Sequence, residues 1–371
     1  MDRHIVVEDK EEITMKKVYS AVKIFHHKEA LDLIEQGCVG NPFYIRIKPT
    51  NCCNHHCAYC TYGSGNTDQR TEIRNDINYT DIIPREKMME IIEDMGNMSV
   101  KAITFSGGGE PLTYPYIDEA VKKIKEKNIE LSLITNGQLL KGKIATDFYD
   151  ARWVRISFDS PNAEEYARIR GISVKAFERV IENIENFAKY KDKNCVFGIN
   201  FVISKANYNR IYEAAKLMKE LGVDNIKFAA VVDNKKQYHI SIKDEAIEQI
   251  HKAKRELESQ EFHIINNYEN DWMDKNFFVQ PFSTCYTCRL VTVIAADQKV
   301  YLCHTRAYDS NAVLADLREK SFREAWCEED TKRRLLELKP GQECKNFCAY
   351  QERNELIEEY FNVDYRHINF I

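Results

Sequence analysis

The sequence of 371 residues has no apolar run of the roughly 18 residues needed to span a bilayer. It has no apolar signal core either, because the stretch from Met1 to Lys10 is charged throughout. An excess of charge of one sign is also missing. The net charge is −5 at pH 7, so bulk electrostatics give no reason to expect nucleic acid or an anionic membrane as partner. There is no internal repeat and no low-complexity segment. What these absences leave is a cytoplasmic chain, long enough to bury a large core in one domain or two.

Cysteine is abundant by contrast. There are twelve, four of them between positions 52 and 60 and six between 285 and 348. Only Cys38 and Cys195 stand alone. A cytoplasmic compartment keeps thiols reduced, so metal binding or catalysis is a better reading than a disulfide framework.

From Phe43 to about Val231, strand-like runs alternate with helical ones. The pattern predicts strands at 43–47, 102–106, 130–135, 153–158, 196–203 and 225–231. Between them it predicts helices at 85–95, 116–127, 174–190 and 208–221. Such alternation argues for an α/β fold of parallel strands with crossover helices, although it does not by itself separate a barrel from a doubly wound sheet. Residues 1–40 read as a lead-in with a short helix near 27–36, residues 41–240 as the core, and residues 241–279 as a charged helical connector. Residues 280–371 form a C-terminal unit, in which Val291 to Cys303 reads as a hairpin followed by helices and cysteines.

The most specific motif is Cys53-x3-Cys57-x2-Cys60, directly after the first strand. Three thiolates on one short loop can hold three irons of a [4Fe–4S] cluster and leave the fourth iron open. A zinc site drawing on His55 or His56 is the alternative, but zinc sites usually show paired CxxC or CxxC/HxxxH ligands, and these histidines lie too close to the cysteines in sequence. Cys52 falls outside the spacing and reads as packing. The second motif, Ser106-Gly-Gly-Gly-Glu110, ends the second strand, where glycines let a backbone approach a ligand closely.

The cysteine triplet, with Tyr59 just before its last cysteine, resembles the radical S-adenosylmethionine (SAM) superfamily. Gly107, Gly108, Gly109 and Glu110 match that family's GGE stretch. The family's fold is a partial (β/α)6 barrel of the TIM type, with function at the C-terminal ends of the strands. The resemblance implies a [4Fe–4S] cluster on Cys53, Cys57 and Cys60, and SAM as cofactor. Leu133 to Gly137 and Ile156 to Ser160 are similar to two further family segments, which makes Asn136, Ser157, Asp159 and Arg170 candidate SAM contacts. An Asx turn, a helix cap or a surface ion pair is the alternative reading of each.

The C-terminal cysteines resemble the auxiliary-cluster extension called SPASM or, in its shorter form, twitch. The resemblance implies one auxiliary [4Fe–4S] cluster, for which Cys285, Cys288, Cys303, Cys344 and Cys348 compete. Cys285 and Cys288 are not separable from sequence. A zinc knuckle is the alternative use of these thiols. Gln298 stands where the family pattern has glycine, so an altered turn is expected there. Cys327, on an expected helix, reads as core.

Strand alternation puts Tyr44, Arg46 and Lys48 on one face, with Arg155 and Lys227 on other strands. If these faces point inward, the interior is basic and would suit a small anionic substrate such as a sugar phosphate, nucleotide or carboxylate. The resemblance implies cleavage of SAM to a 5′-deoxyadenosyl radical, hydrogen-atom abstraction, and oxidation or rearrangement of that substrate, with a flavodoxin- or ferredoxin-type electron donor. Modification of a ribosomally made peptide is one alternative. Epimerisation with a thiol donor such as Cys195 is another. A non-catalytic iron–sulfur electron-transfer scaffold would leave the GGE stretch unused.

Overall fold

A computed structural model of the chain describes residues 20–63, 77–231, 241–269, 280–344 and 348–370. Residues 1–19 of the expected lead-in and 270–279 of the expected connector lie outside them.

Six parallel strands form the frame: β1 (Tyr44–Ile47), β2 (Ala102–Phe105), β3 (Glu130–Thr135), β4 (Trp153–Ser157), β5 (Val196–Ile203) and β6 (Asn225–Ala230). Each lies within two residues of its expected position. Ile45, Ile47, Ile103, Phe105, Val154, Ile156, Phe197, Ile199, Phe201, Ile226 and Phe228 are buried on the outer face. Helices cover that face. On α3 (Ile117–Glu126) the buried positions are Ile117, Ala120, Val121 and Ile124, the i, i+3, i+4, i+7 stripe of an amphipathic helix. The same spacing on α6 (Val174–Tyr190) buries Ala176, Val180, Ile184 and Phe187. Each large apolar side chain taken from water on this interface stabilises by roughly 1.5–3 kcal/mol.

The connector departs from expectation. It contains a helix, Lys243–Leu257, but then a seventh parallel strand, β7 (His263–Asn266), which pairs with β6. Its short run His263-Ile-Ile-Asn266 carries too few apolar residues to stand out within a charged stretch.

The C-terminal unit continues the same sheet. Strand β8 (Val291–Ile294) pairs parallel with β1, on the side away from β2, and β9 (Lys299–Tyr301) and β10 (Val313–Asp316) follow antiparallel. The order is β10-β9-β8-β1-β2-β3-β4-β5-β6-β7, so β7 and β10 are edges and the barrel is open. The expected hairpin is present, with β10 as an additional strand. Its turn is not altered by the missing glycine, because Gln298 takes the left-handed conformation itself, at φ 61°.

Candidate active site

The loops after β1, β2, β3 and β4 meet at one end of the barrel, around a cavity of about 630 Å³. Cys53, Cys57 and Cys60 line it, together with Tyr59, Gly107, Gly108, Gly109, Glu110, Asn136, Ser157 and Arg170.

The first two loops are zipped backbone to backbone. Gly109 N–H donates to Thr50 O at 2.9 Å and Glu110 N–H to Cys52 O at 2.8 Å. A Cβ on Gly109 would stand 1.9 Å from Cys52 O, and one on Gly108 would meet Asn51 Oδ1 and the Tyr308 hydroxyl. Close approach of the two loops therefore demands glycine at both positions. Glu110 is buried and spends its carboxylate on the next loop. It accepts from Thr135 Oγ1 at 2.5 Å and from the Asn136 N–H at 2.7 Å. Burial pushes its pKa up, and those hydrogen bonds oppose the shift. Asn136 closes an Asx turn onto Gln138 N–H and donates to Asn54 Oδ1 at 2.7 Å. Glu110 and Asn136 thus tie three loops together from the cavity wall.

The cysteine loop is also clamped from beneath by α5 (Ala163–Arg170). Asn162 caps the start of this helix by accepting from Glu165 N–H, and Gly171, left-handed at φ 62°, ends it. Its last carbonyls receive the loop: His56 N–H donates to Arg170 O at 2.8 Å and Ala58 N–H to Ile169 O at 2.9 Å. Arg170 is buried, with Nε 2.5 Å from Asp159 Oδ2, and its Nη1 donates to Cys57 Sγ at 3.6 Å. Tyr59 donates its hydroxyl to the same Asp159 oxygen at 2.5 Å. Burial alone would depress the Arg170 pKa, but Asp159 outweighs it and drives it up.

Asp159 is a correction to the expected site. It does not line the cavity but lies fully buried behind it, holding Tyr59, Arg170 and the Val202 N–H. Strand β4 ends at Ser157, so alternation does not carry through to position 159. Arg170, expected as a SAM contact, has Nε ion-paired with Asp159 and Nη1 on Cys57; Nε and Nη2 are buried without a hydrogen-bond partner.

Two more cavity residues carry such orphaned polar atoms, His55 at Nδ1 and Ser106 at Oγ. His55 is buried, bonded through Nε2 to Gln138 at 2.8 Å, and burial with Arg170 nearby lowers its pKa to about 4. It is neutral at ordinary pH. Buried polar atoms normally have partners, so orphans gathered on one cavity suit a polar ligand. Ser106 was open to inference as the inward position before Gly107; His55 had no signal beyond its place in the loop. Lys48 donates to Gly107 O and to the Tyr62 hydroxyl, and Tyr308 reaches from the C-terminal unit to Asn51 under the glycine loop.

Burial pushes the Cys53 thiol up to about 12 and Cys57 to about 11. Metal binding there displaces protons. Cys52, expected to pack, is exposed and donates to Tyr79 O. Cys327 is likewise exposed rather than core. Cys195 precedes β5, at the opposite end of the barrel from the cavity, and is buried in the core.

The C-terminal cysteines gather in a second group. Cys285, Cys303, Cys344 and Cys348 lie within electrostatic reach of one another. Cys288 adjoins the group, within reach of Cys285 and Cys303, but is 1% exposed, with its thiol directed to Cys285 O at 3.0 Å and Leu335 O at 3.8 Å. Among the described residues, no three His, Cys, Asp or Glu side chains converge on one ion-sized position.

Residues 47–203 match the family model of the radical SAM superfamily, and the chain carries a radical SAM domain there. That family's chemistry calls for a [4Fe–4S] cluster and SAM. An AdoMet-dependent heme synthase of Methanosarcina barkeri is 31% identical over 183 residues, 49% of this chain and 48% of that protein. A GTP 3′,8-cyclase of Helicobacter pylori is 30% identical over 197 residues, 52% of this chain and 56% of that protein. The chain thus spans about half the length of the curated relatives it matches. Among solved structures, SuiB of Streptococcus suis bound to its precursor peptide SuiA superposes with a TM-score of 0.61 at 16% identity, over 85% of this chain and 71% of that one. That likeness is one of fold alone. No helix among the described residues is long and apolar enough to cross a membrane.

Proposed function

We propose that this radical SAM enzyme takes a hydrogen atom from a small anionic molecule and oxidises or rearranges it. The observation that carries the reading is the placing of Cys53, Cys57 and Cys60 on the wall of a cavity rimmed by the glycine loop and by orphaned polar atoms. When bound there, a [4Fe–4S] cluster and SAM supply a one-electron cleavage to methionine and a 5′-deoxyadenosyl radical, the electron coming from a flavodoxin- or ferredoxin-type donor.

The chain's own contribution is positional. The Gly107 to Gly109 backbone, Asn136 and Ser157 shape the cofactor's space, and His55, Ser106 and Arg170 offer it hydrogen-bonding atoms. Arg170 and the end of α5 fix the cysteine loop, and Tyr59 is held by Asp159. A cluster on Cys285, Cys303, Cys344 and Cys348 would supply an electron acceptor for oxidation. Residues 280–371 act on this reading as an auxiliary-cluster unit on a core of residues 41–240.

The test is anaerobic reconstitution with iron and sulfide, on wild type and on the Cys53→Ala/Cys57→Ala/Cys60→Ala variant. Wild type is expected to hold roughly eight irons and to form 5′-deoxyadenosine with reductant; the variant is expected to hold roughly four and form none. Deoxyadenosine from the variant would defeat the assignment.

A further inference from the structure

The six core strands turn two chemically different faces. The outer face is apolar and covered. The inner face carries Arg46 on β1, Arg155 on β4 and Lys227 on β6, with Lys48 just past the end of β1. The other inner positions of these described strands are uncharged apart from Glu130. That residue is exposed at the start of β3 and pairs outward with Arg152 at 2.9 Å.

The register places these cations relative to the cavity. Ser157 lines it, and Ser157 is level with Asn200, which is level with Lys227. Lys227, which does not itself line the cavity, therefore stands level with Ser157, which does. Arg155 lies one inward position below Ser157, about 6.6 Å deeper at a strand's usual rise. Arg46 lines the cavity from the other side. Its Nε donates to the Tyr44 hydroxyl at 3.2 Å, and Tyr44, Thr104 and Ser132 continue as a hydroxyl chain at 2.6 Å per link. The guanidinium is thus fixed before any ligand arrives. The three cations also feel one another: burial first, then Arg155 and Arg46, bring the Lys227 pKa down to about 8.

We infer that Arg46, Arg155 and Lys227 form a binding site for a phosphate-type dianion in the barrel lumen, and that it holds the charged end of the substrate beneath the cysteine loop. The inference rests on the reading of the chain as an enzyme acting on a small anionic molecule, and names that anion. Like charges held together in a poorly hydrated space repel, and a dianion removes that repulsion more fully than one carboxylate. Two planar guanidinium forks and an ammonium also match the several acceptor oxygens of a phosphate. With the phosphate at the floor, the remainder of the substrate extends upward into the cavity, where the reactive carbon is needed.

The site is tested by trace acylation of the reconstituted, full-length protein at pH 8, with mass spectrometry reading each lysine. Lys227 is expected to react without ligand and to be protected at least fivefold by millimolar inorganic phosphate. Malonate, a dicarboxylate, should protect it less. Arg155→Gln should raise the phosphate concentration for half-protection at least tenfold, and Arg155→Lys should restore part of the loss; circular dichroism reports whether each variant is folded. Equal protection by malonate would overturn the phosphate assignment, and no protection by either anion would overturn the site. Deoxyadenosine formation is measured on the same wild-type preparation. Its absence would count against the radical reading and leave the labelling result standing, whereas unprotected Lys227 in a preparation that forms deoxyadenosine would sink the anion site alone.

Discussion

The two cysteine groups of this protein are built in opposite ways. Cys53, Cys57 and Cys60 come from one loop of eight residues, and the rest of the barrel is arranged to hold that loop. The glycine loop zips to it from one side, α5 receives its N–H groups from below, and Arg170 reaches one of its sulfurs. Cys285, Cys303, Cys344 and Cys348 come instead from three separated stretches, brought together by the β8–β9 hairpin and the helices that follow. A contiguous triplet can show its spacing in a sequence. A group gathered by tertiary folding cannot show which of five cysteines belongs to it.

The sharpest way to break this comparison is to exchange the two cysteines that the sequence leaves equivalent. Cys285 lies within reach of Cys303, Cys344 and Cys348, whereas Cys288 reaches Cys285 and Cys303; Asn354 Nδ2 donates toward the Cys285 sulfur at 3.8 Å. The Cys288 thiol is turned into the core toward two carbonyl oxygens. Cys285→Ser is therefore expected to lose roughly four irons per chain, and Cys288→Ser to keep them, since a hydroxyl replaces the buried donor. Iron counting with electron paramagnetic resonance of the reduced protein decides it. The reverse pattern would put Cys288 in the site and Cys285 behind it.

The second prediction concerns the clamp on the first loop. Asp159 neutralises Arg170 at full burial, and Arg170 in turn contacts Cys57. Asp159→Asn keeps the volume but strands a buried guanidinium. Removing one partner of a buried pair costs about 3–5 kcal/mol, so a marked fall in the urea midpoint of the metal-free chain is expected. The double variant Asp159→Asn/Arg170→Met removes both charges and is expected to cost less. If Asp159→Asn were neutral, the pair would not be what holds the loop. The C-terminal group has a looser counterpart: Arg306 is buried, reaches Cys344 and pairs with Asp309 at 2.8 Å, but Asp309 is partly exposed and Glu343 stands off at 3.9 Å.

How far the sequence reached follows the same division. The six core strands were legible because apolar residues recur on one face of each strand and on one stripe of the helices between them. The inward cations were legible for the same reason, since alternation needs only the strand to be placed correctly. Strand β7 was hidden because four residues within a charged stretch carry no period. The pairing of β8 with β1 was hidden because it joins segments some 250 positions apart by backbone hydrogen bonds, which are indifferent to side chains. Asp159 was found as a residue and misread in role: its motif says where it lies in the chain, and only packing says that its carboxylate turns away from the cavity. Tyr308, which reaches Asn51 from the C-terminal unit, left no sequence signal at all.

The smallest expected effect tests whether the hairpin that carries Cys303 is strained. Gln298 is left-handed at φ 61°, with its N–H bonded to Ala295 O at 2.9 Å and its carbonyl accepting from Leu317 N–H at 2.8 Å. Those two bonds fix the turn whatever the side chain. A residue with a Cβ pays roughly 1–2 kcal/mol for this conformation, and glycine pays part of that back as freedom in the unfolded chain. Gln298→Gly is thus expected to stabilise the metal-free protein by about 0.5–1 kcal/mol, read as a higher urea midpoint at unchanged slope. The β8–β9 turn would then tolerate either residue because the backbone, not the side chain, defines it. A loss of stability would mean instead that the Gln298 side chain holds the turn, and the resemblance to a glycine-bearing extension would be weaker at this position than the fold suggests.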